Sequence, residues 1–292
     1  MKKRNTTFII FLIWQISFSQ KHIIIDTTTK EPVPFVAIKY TKTNEGFYTN
    51  EKGVFSINGK KEDTLQISCL GYKTIFKAIN SIKDTIHLFP EMIKLDEVVI
   101  SKTKRKIEVI GLKRKKINFY INQNLQIGLL IKPSKDFIGK HITKISIPIN
   151  KKLAYGTKGA KNFNSIFKFN LFSNELDTPK FPLLEKPINI NVDQNSEDFV
   201  NIDLSEYFIE FPKEGIFICL ELVGEINETG EVINSKNPRP SFVFSNKPIK
   251  EFSSESFYRT KFTNKWELLS IEKFHLKENI YLAINITLST YD

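Results

Sequence analysis

The chain has 292 residues, which is long for one β-sandwich and sufficient for two domains that each bury a core. Its formal net charge is +11, but residues 102–116 carry eight basic side chains against one acidic side chain and account for +7 of that total. Because the excess charge belongs to one segment, the basic composition does not indicate a nucleic-acid-binding protein.

The first nineteen residues have the pattern of a secretory signal peptide. Lys2, Lys3 and Arg4 precede an apolar run over 8–16, and small residues stand at Ser17 and Ser19. We expect export to the periplasm or to an outer-membrane-associated location. A retained membrane anchor is the weaker alternative, because nine apolar residues are about half of what a transmembrane helix needs. No transmembrane segment is predicted in the mature chain.

Residues 20–101 predict a β-sandwich. Short runs rich in β-branched and aromatic residues alternate with turn signals, as is typical of all-β folds. Asn50 and Gly53 have the residue types of a tight turn between two such runs. The predicted strands are 22–25, 33–40, 46–49, 53–57, 64–69, 73–78, 85–88 and 95–100.

Four sequence blocks in this region occur in the order found in one known family. They are Asp26 with 29–36, then 49–55, 67–73 and 95–100. The region resembles the carboxypeptidase-regulatory-like domain, a transthyretin-like sandwich common in exported proteins of Gram-negative bacteria. The resemblance implies a structural or recognition module of the cell envelope and supplies no catalytic residue.

Residues 102–116 are predicted to be a basic linker between two independently folding halves, because like charges prevent them from packing. A contact with an anionic lipid or lipopolysaccharide surface is an alternative role for this segment. Nucleic acid is not an expected partner, since export removes the chain from it.

Residues 117–292 are again rich in β-strand patterns and predict a larger, jelly-roll-like sandwich. The predicted strands are 117–131, 142–149, 165–172, 188–192, 199–204, 216–223, 241–244, 265–268 and 280–288. Two segments, 151–164 and 174–187, are predicted to be long loops.

Cys69 and Cys219 each lie inside an apolar run. Cysteine packs as a small hydrophobic residue, so we expect both to be buried free thiols. An exported location also permits a disulfide between them, and the sequence leaves that pairing open.

No catalytic motif is present, so the sequence predicts no enzymatic activity, no metal site and no cofactor. His275 and Glu278 have the first spacing of a zinc peptidase, but no histidine follows to complete the site. Asp198 and Asp203 would be arbitrary choices for the catalytic carboxylate pair of a glycosidase. The expected alternative is that both are solvated loop carboxylates. The competing function is a hydrolase with its active site in the C-terminal sandwich.

Residues 256–268 contain the candidate binding cluster, Tyr258, Arg259 and Trp266. Aromatic faces and cationic groups occur together at surfaces that bind sugars or protein partners. A hairpin that turns near 262–264 would place Tyr258 opposite Trp266 on an exposed face. The alternative is that these aromatic side chains pack in the core.

The sequence therefore predicts an exported, non-catalytic binding or adaptor protein of the cell envelope with two β-sandwich modules. An envelope protein or a glycan is its expected partner.

The first testable prediction concerns export. Cleavage after Ser19 gives a mature protein that begins at Gln20, because Ser17 and Ser19 satisfy the small-residue rule of signal peptidase. The intact mass of the exported protein measures this directly. Retention of residues 1–19 in exported protein would show that the apolar run is an anchor.

Overall fold

The structure is a computed structural model. It describes residues 21–57, 63–91, 105–111, 117–119, 125–152, 162–234, 239–247, 249–263, 265–270 and 280–291. The predicted signal peptide, the predicted strand 95–100 and the pair His275 and Glu278 lie outside the described residues.

The N-terminal part is a β-sandwich of two small sheets. One sheet has the order β4-β1-β7 and the other β3-β2-β5-β6. The strands are β1 (Lys21–Asp26), β2 (Ala37–Tyr40), β3 (Gly46–Tyr48), β4 (Val54–Ser56), β5 (Thr64–Ser68), β6 (Ile75–Ala78) and β7 (Thr85–Leu88). Seven of the predicted strands in this half are confirmed.

Alternation along these strands builds the core. In β5, Leu65 and Ile67 are fully buried, while Gln66 and Ser68 point to the other face of their sheet. The predicted turn is also present: the Asn50 side-chain oxygen accepts hydrogen bonds from the backbone N–H groups of Lys52 and Val54, and Gly53 has a φ of 67°. That backbone conformation favours glycine.

The described residues of the C-terminal part form a larger sandwich of two eight-stranded antiparallel sheets. The first sheet has the order β13-β12-β17-β10-β20-β21, with β14 on β12 and β18 on β17. The second has the order β22-β19-β11-β23-β8, with β15 and β16 on β11 and β9 on β19. Their strands are β8 (Arg105–Gly111), β9 (Ile117–Phe119), β10 (Leu125–Pro133), β11 (His141–Asn150), β12 (Asn164–Glu175), β13 (Thr178–Pro182), β14 (Ile188–Asp193), β15 (Phe199–Asp203), β16 (Ile209–Glu210), β17 (Ile216–Ile226), β18 (Val232–Ile233), β19 (Ser241–Ser245), β20 (Phe252–Thr260), β21 (Glu267–Leu268), β22 (Tyr281–Leu282) and β23 (Asn285–Tyr291).

The inner faces of these two sheets form one continuous hydrophobic core. Phe167 of β12 meets Phe242 of β19 edge to face, with ring centroids 5.2 Å apart. Short 3-10 helices occur at Ile79–Ser81, Lys135–Phe137 and Ser205–Tyr207. The all-β fold class with two β-sandwich modules is confirmed.

Several predicted boundaries differ from the structure. Residues 105–111 of the predicted linker form β8, which pairs with β23 over seven residues and buries Ile110. The predicted loop 174–187 contains β13, which forms a hairpin with β12. The single predicted strand 117–131 is two strands, β9 and β10, which belong to different sheets. The backbone pairing of β8 with β23 offsets the repulsion between like charges, which had predicted an unpacked linker here.

Both cysteines are free thiols. Cys219 is buried as predicted, whereas Cys69 is only half-buried. Within the described segments, no helix has the length and apolar character needed to cross a bilayer.

The two sandwiches contact each other through the outer faces of two sheets. Phe35 and Tyr48 of the N-terminal sandwich pack against Ile166 and Val223 of the C-terminal sandwich, and Phe262 lies beside them. Phe35, Tyr48, Ile166 and Val223 are each at most 8% exposed. This cluster, called the interdomain cluster below, lies outside both domain cores.

The second prediction tests this contact. Trypsin is expected to cut after Lys102 or Lys104, ahead of β8, and the nicked protein is expected to elute as one species in size-exclusion chromatography because the interdomain cluster holds the halves together. Val223→Asp places a carboxylate in that cluster and is expected to let the two fragments separate.

Val109→Asp is the matched control, because Val109 is 66% exposed on β8. Its nicked fragments are expected to stay together. Separation of the wild-type fragments, or early cleavage within either sandwich, would contradict the prediction.

Candidate functional site

A large cleft separates the two sandwiches beyond the interdomain cluster. Its volume is about 1440 Å³, and residues of both domains line it. The N-terminal wall is the outer face of the sheet containing β2, β3 and β5. The opposite wall is the outer face of the sheet containing β10, β12, β17 and β20. The principal lining side chains on the two walls are Lys39, Tyr48, Gln66 and Ser68, and Gln126, Lys168, Asn170, Phe172, Glu221 and Arg259.

Within the described part of the chain, three hydrogen bonds cross between the domains where the cleft closes. The Tyr48 hydroxyl donates to the Glu221 carboxylate, and the Lys168 ammonium donates to the backbone carbonyl of Phe35. In the other direction, the Lys39 ammonium donates to the carbonyl of Phe262 at 3.0 Å. Each bond joins one domain to the other. Side chains of both domains therefore hold the two walls together at this end of the cleft.

Three of the charged groups at this end are almost fully removed from water. Lys168, Glu221 and Lys261 are 5%, 8% and 6% exposed. The Lys261 ammonium donates to the carbonyl of Leu222, and the ammonium groups of Lys168 and Lys261 lie 5.1 and 4.8 Å from the centre of the Tyr48 ring. The ring therefore accepts cation–π contacts from two lysines while its hydroxyl binds a carboxylate.

Burial shifts the acid–base properties of all three groups. It lowers the pKa of Lys261 to about 8, against the opposing effect of Glu221. Burial also lowers the pKa of Lys168. The pKa of Glu221 is raised by burial, although Lys261 and Arg259 act in the opposite direction. These directions follow from the cost of holding charge in a low-dielectric environment.

Arg259 and Trp266, two of the predicted binding residues, lie together on the outer face of the C-terminal sheet. The Arg259 guanidinium stacks over the Trp266 ring at 4.6 Å, and its Nε donates to the side-chain oxygen of Gln126. Trp266 is half-buried and lies against Phe217, with ring centroids 5.1 Å apart. Gly128 makes room for the indole, because a Cβ there would stand 2.8 Å from Trp266 Cζ3.

The expected placement of Tyr258 is wrong. Tyr258 is 5% exposed and packs in the core of the C-terminal sandwich. The hairpin exists, but its register places Tyr258 opposite Glu267, and the Tyr258 hydroxyl donates to that carboxylate at 2.6 Å. A shift of one residue moves a side chain to the other face of a sheet, so Arg259 takes the position beside Trp266 that we expected Tyr258 to hold.

Asp198 and Asp203, the two carboxylates considered as a glycosidase pair, each contact residues near them. Asp198 forms an ion pair with Lys151 at 3.4 Å, and Asp203 accepts a hydrogen bond from the backbone N–H of Ser205 at 2.9 Å. Asp203 therefore shapes the turn at the end of β15.

Sequence reasoning missed Tyr48, Lys168 and Glu221. A signal for two of them was present, since Lys168 and Glu221 are single charged residues inside otherwise apolar strands (SIFKFNLF and GIFICLEL). A charged residue in the middle of a buried strand needs a specific partner. Nothing in the sequence pattern indicates that their partners belong to the other domain.

Residues 23–100 match the CarboxypepD_reg-like domain family, which confirms the resemblance seen in the sequence. The match covers the N-terminal sandwich, and this family is a β-sandwich module that is often non-catalytic. No curated protein and no solved structure gives a significant match to the chain.

The third prediction concerns Trp266. Replacing a fully exposed tryptophan would leave stability almost unchanged. The observed packing on Phe217 and Gly128 instead predicts that Trp266→Ala lowers the free energy of unfolding by about 2 kcal/mol in urea titrations. Phe181→Ala is the control, because Phe181 is 64% exposed. An equal effect of the two substitutions would show that the Trp266 contacts contribute no stability.

The fourth prediction concerns pH. Between the lowered pKa of Lys261 in the folded protein, about 8, and its ordinary value of 10.5, the unfolded chain keeps a proton that the folded protein has lost. The free energy of unfolding should therefore receive a contribution from Lys261 that rises with pH across this window. Lys261→Met should remove this contribution, while Lys168 retains its own in the same direction.

Urea titrations of both proteins at a series of pH values between about 7.5 and 10 measure this difference. Glu221 has a raised pKa and acts in the opposite direction at lower pH, above its ordinary value of 4.5. Parallel profiles for the wild type and Lys261→Met would show that Lys261 titrates normally.

Proposed function

We propose that this chain is an exported, non-catalytic binding or adaptor protein of the cell envelope, and that its partner occupies the cleft between the two sandwiches. The observation that carries the proposal is the cleft itself, a volume of about 1440 Å³ lined by both domains. Ligand sites occur preferentially at domain interfaces, where two surfaces supply contacts at once.

The chemistry of the closed end supports binding in place of catalysis. Tyr48, Lys168 and Glu221 are each engaged in a hydrogen bond across the domain boundary. A general acid or base must reach a substrate proton, and these groups are directed at the other domain. Their arrangement therefore serves to fix the relative position of the two walls.

The N-terminal domain supports the same conclusion. It matches a family of β-sandwich modules that are often non-catalytic, and its outer sheet face contributes one wall of the cleft. The predicted signal peptide supports the envelope location.

A hydrolase is the second candidate, and one observation favours it. The cleft is lined by Glu221 and Lys168, whose pKa values are both shifted, as those of catalytic groups often are. Incubation with envelope polysaccharides and peptides, followed by mass spectrometry, tests it. Products that form with the wild type and disappear with Glu221→Gln would establish the hydrolase.

The fifth prediction tests the proposed binding role. The chain from Gln20 onward is used to capture components from solubilised cell envelope, and the captured components are identified by mass spectrometry. Ser68→Trp fills the cleft from its N-terminal wall and is expected to abolish capture.

Lys77→Trp is the matched control. Lys77 is exposed on β6 opposite the core residue Leu65, so its side chain is on the face of the sheet away from the cleft. It is expected to capture what the wild type captures. Identical captured sets from Ser68→Trp and the wild type would refute a role for the cleft.

A further inference from the structure

The cleft has chemical features that indicate a class of ligand. Among the residues that the structure describes, and leaving aside His141, three basic and three acidic side chains line it, so their formal charges cancel. They are Lys39, Lys168 and Arg259, and Glu91, Glu210 and Glu221. A cleft with no net charge gives no general preference for an anion or a cation.

Much of the remaining polar lining is uncharged. Gln66 and Ser68 line one wall from β5, and Asn170 lines the other wall from β12. Amide and hydroxyl groups both donate and accept hydrogen bonds. They complement a ligand that also offers both kinds of group along its length.

Asn170 adds a direct indication. Its side-chain oxygen is buried and has no hydrogen-bond partner among the described residues, although the side chain lines the cleft. A buried acceptor without a partner is costly, and a ligand hydroxyl would satisfy it. An ammonium or amide donor would also fit this atom, so the neighbouring surface has to distinguish them.

Aromatic faces stand next to these polar groups. Phe172 is half-buried on β12, and Phe181 of β13 is 64% exposed on the same wall. Flat aromatic faces bind the apolar C–H faces of sugar rings, whose edges carry hydroxyl groups. The volume of about 1440 Å³ exceeds the range of a single small-molecule site, about 300–1,000 Å³.

We propose that the interdomain cleft binds a neutral oligosaccharide, with Asn170 accepting a hydrogen bond from a sugar hydroxyl and Phe181 stacking on a sugar ring. This inference rests on the proposed binding function and names the class of its ligand. It assigns the polar lining to recognition and the buried charged groups at the closed end to holding the walls together.

The test uses the chain from Gln20 onward on an array of neutral and acidic glycans that range from disaccharides to long chains. Titration calorimetry then measures affinity for the neutral glycan that binds best. We expect neutral glycans to bind, with affinity that increases with chain length. We also expect Asn170→Ala and Phe181→Ala each to weaken binding about tenfold, as loss of one hydrogen bond or one stacking contact does.

Both substitutions should leave folding intact, because the Asn170 oxygen has no described partner to lose and the Phe181 ring is exposed. Phe199→Ala is the matched control, since Phe199 is 45% exposed on β15 of the other sheet and does not line the cleft. Urea titrations of all three variants verify their stability.

Three outcomes would overturn the inference: no binding to any glycan on the array, binding of acidic glycans alone, or binding that neither cleft substitution weakens. The capture experiment separates this failure from failure of the proposed function. If Ser68→Trp abolishes capture of an envelope component while the array is blank, the cleft binds a polypeptide and only the saccharide inference fails. If Ser68→Trp has no effect on capture and the array is blank, both fail.

Discussion

The hydrogen bond from the Tyr48 hydroxyl to the Glu221 carboxylate is the contact on which the two-domain arrangement depends. It joins β3 of the small sandwich to β17, a central strand of the large one. The ammonium groups of Lys168 and Lys261 contact the same tyrosine ring, and the other residues of the interdomain cluster pack beside it. If this contact were lost, the Glu221 carboxylate would stay buried beside two ammonium groups without its hydrogen bond to Tyr48. Keeping a charged group buried without such a partner costs far more free energy than exposing it to water.

Burying charge in this way contributes more to geometry than to stability. A hydrophobic interface of the same area would hold the sandwiches together, but it would tolerate sliding, whereas hydrogen bonds to charged groups fix one relative position. Replacement of a buried ionic network by apolar residues is often neutral or stabilising in other proteins. In this chain the network joins the two facing sheets, and Tyr48, Lys168 and Glu221 themselves line the cleft between them.

The stack of Arg259 on Trp266 has a related role at the edge of the cleft. The Arg259 side chain lines the cleft, while Trp266 anchors it on Phe217 and the gap left by Gly128. The pair therefore connects packing on the outer sheet face to the polar surface of the cleft. A binding role for these two residues stays a prediction, and for Tyr258 the buried position argues against direct contact with a ligand.

The sequence by itself determined the all-β class, the N-terminal domain family and most strands. Alternating apolar residues and turn residues act over only a few positions, as Leu65 and Ile67 do in β5 and as Asn50 and Gly53 do in the turn before β4. It did not determine the register that buries Tyr258, the pairing of β8 with β23, or the cleft. Shifting the strand register by one residue moves each side chain to the opposite face of the sheet, and local sequence does not specify that register. The partner of β8 is more than 170 residues away in the sequence. The partners of Lys168 and Glu221 lie on the other domain, so only the tertiary structure decided that these two charges build an interface.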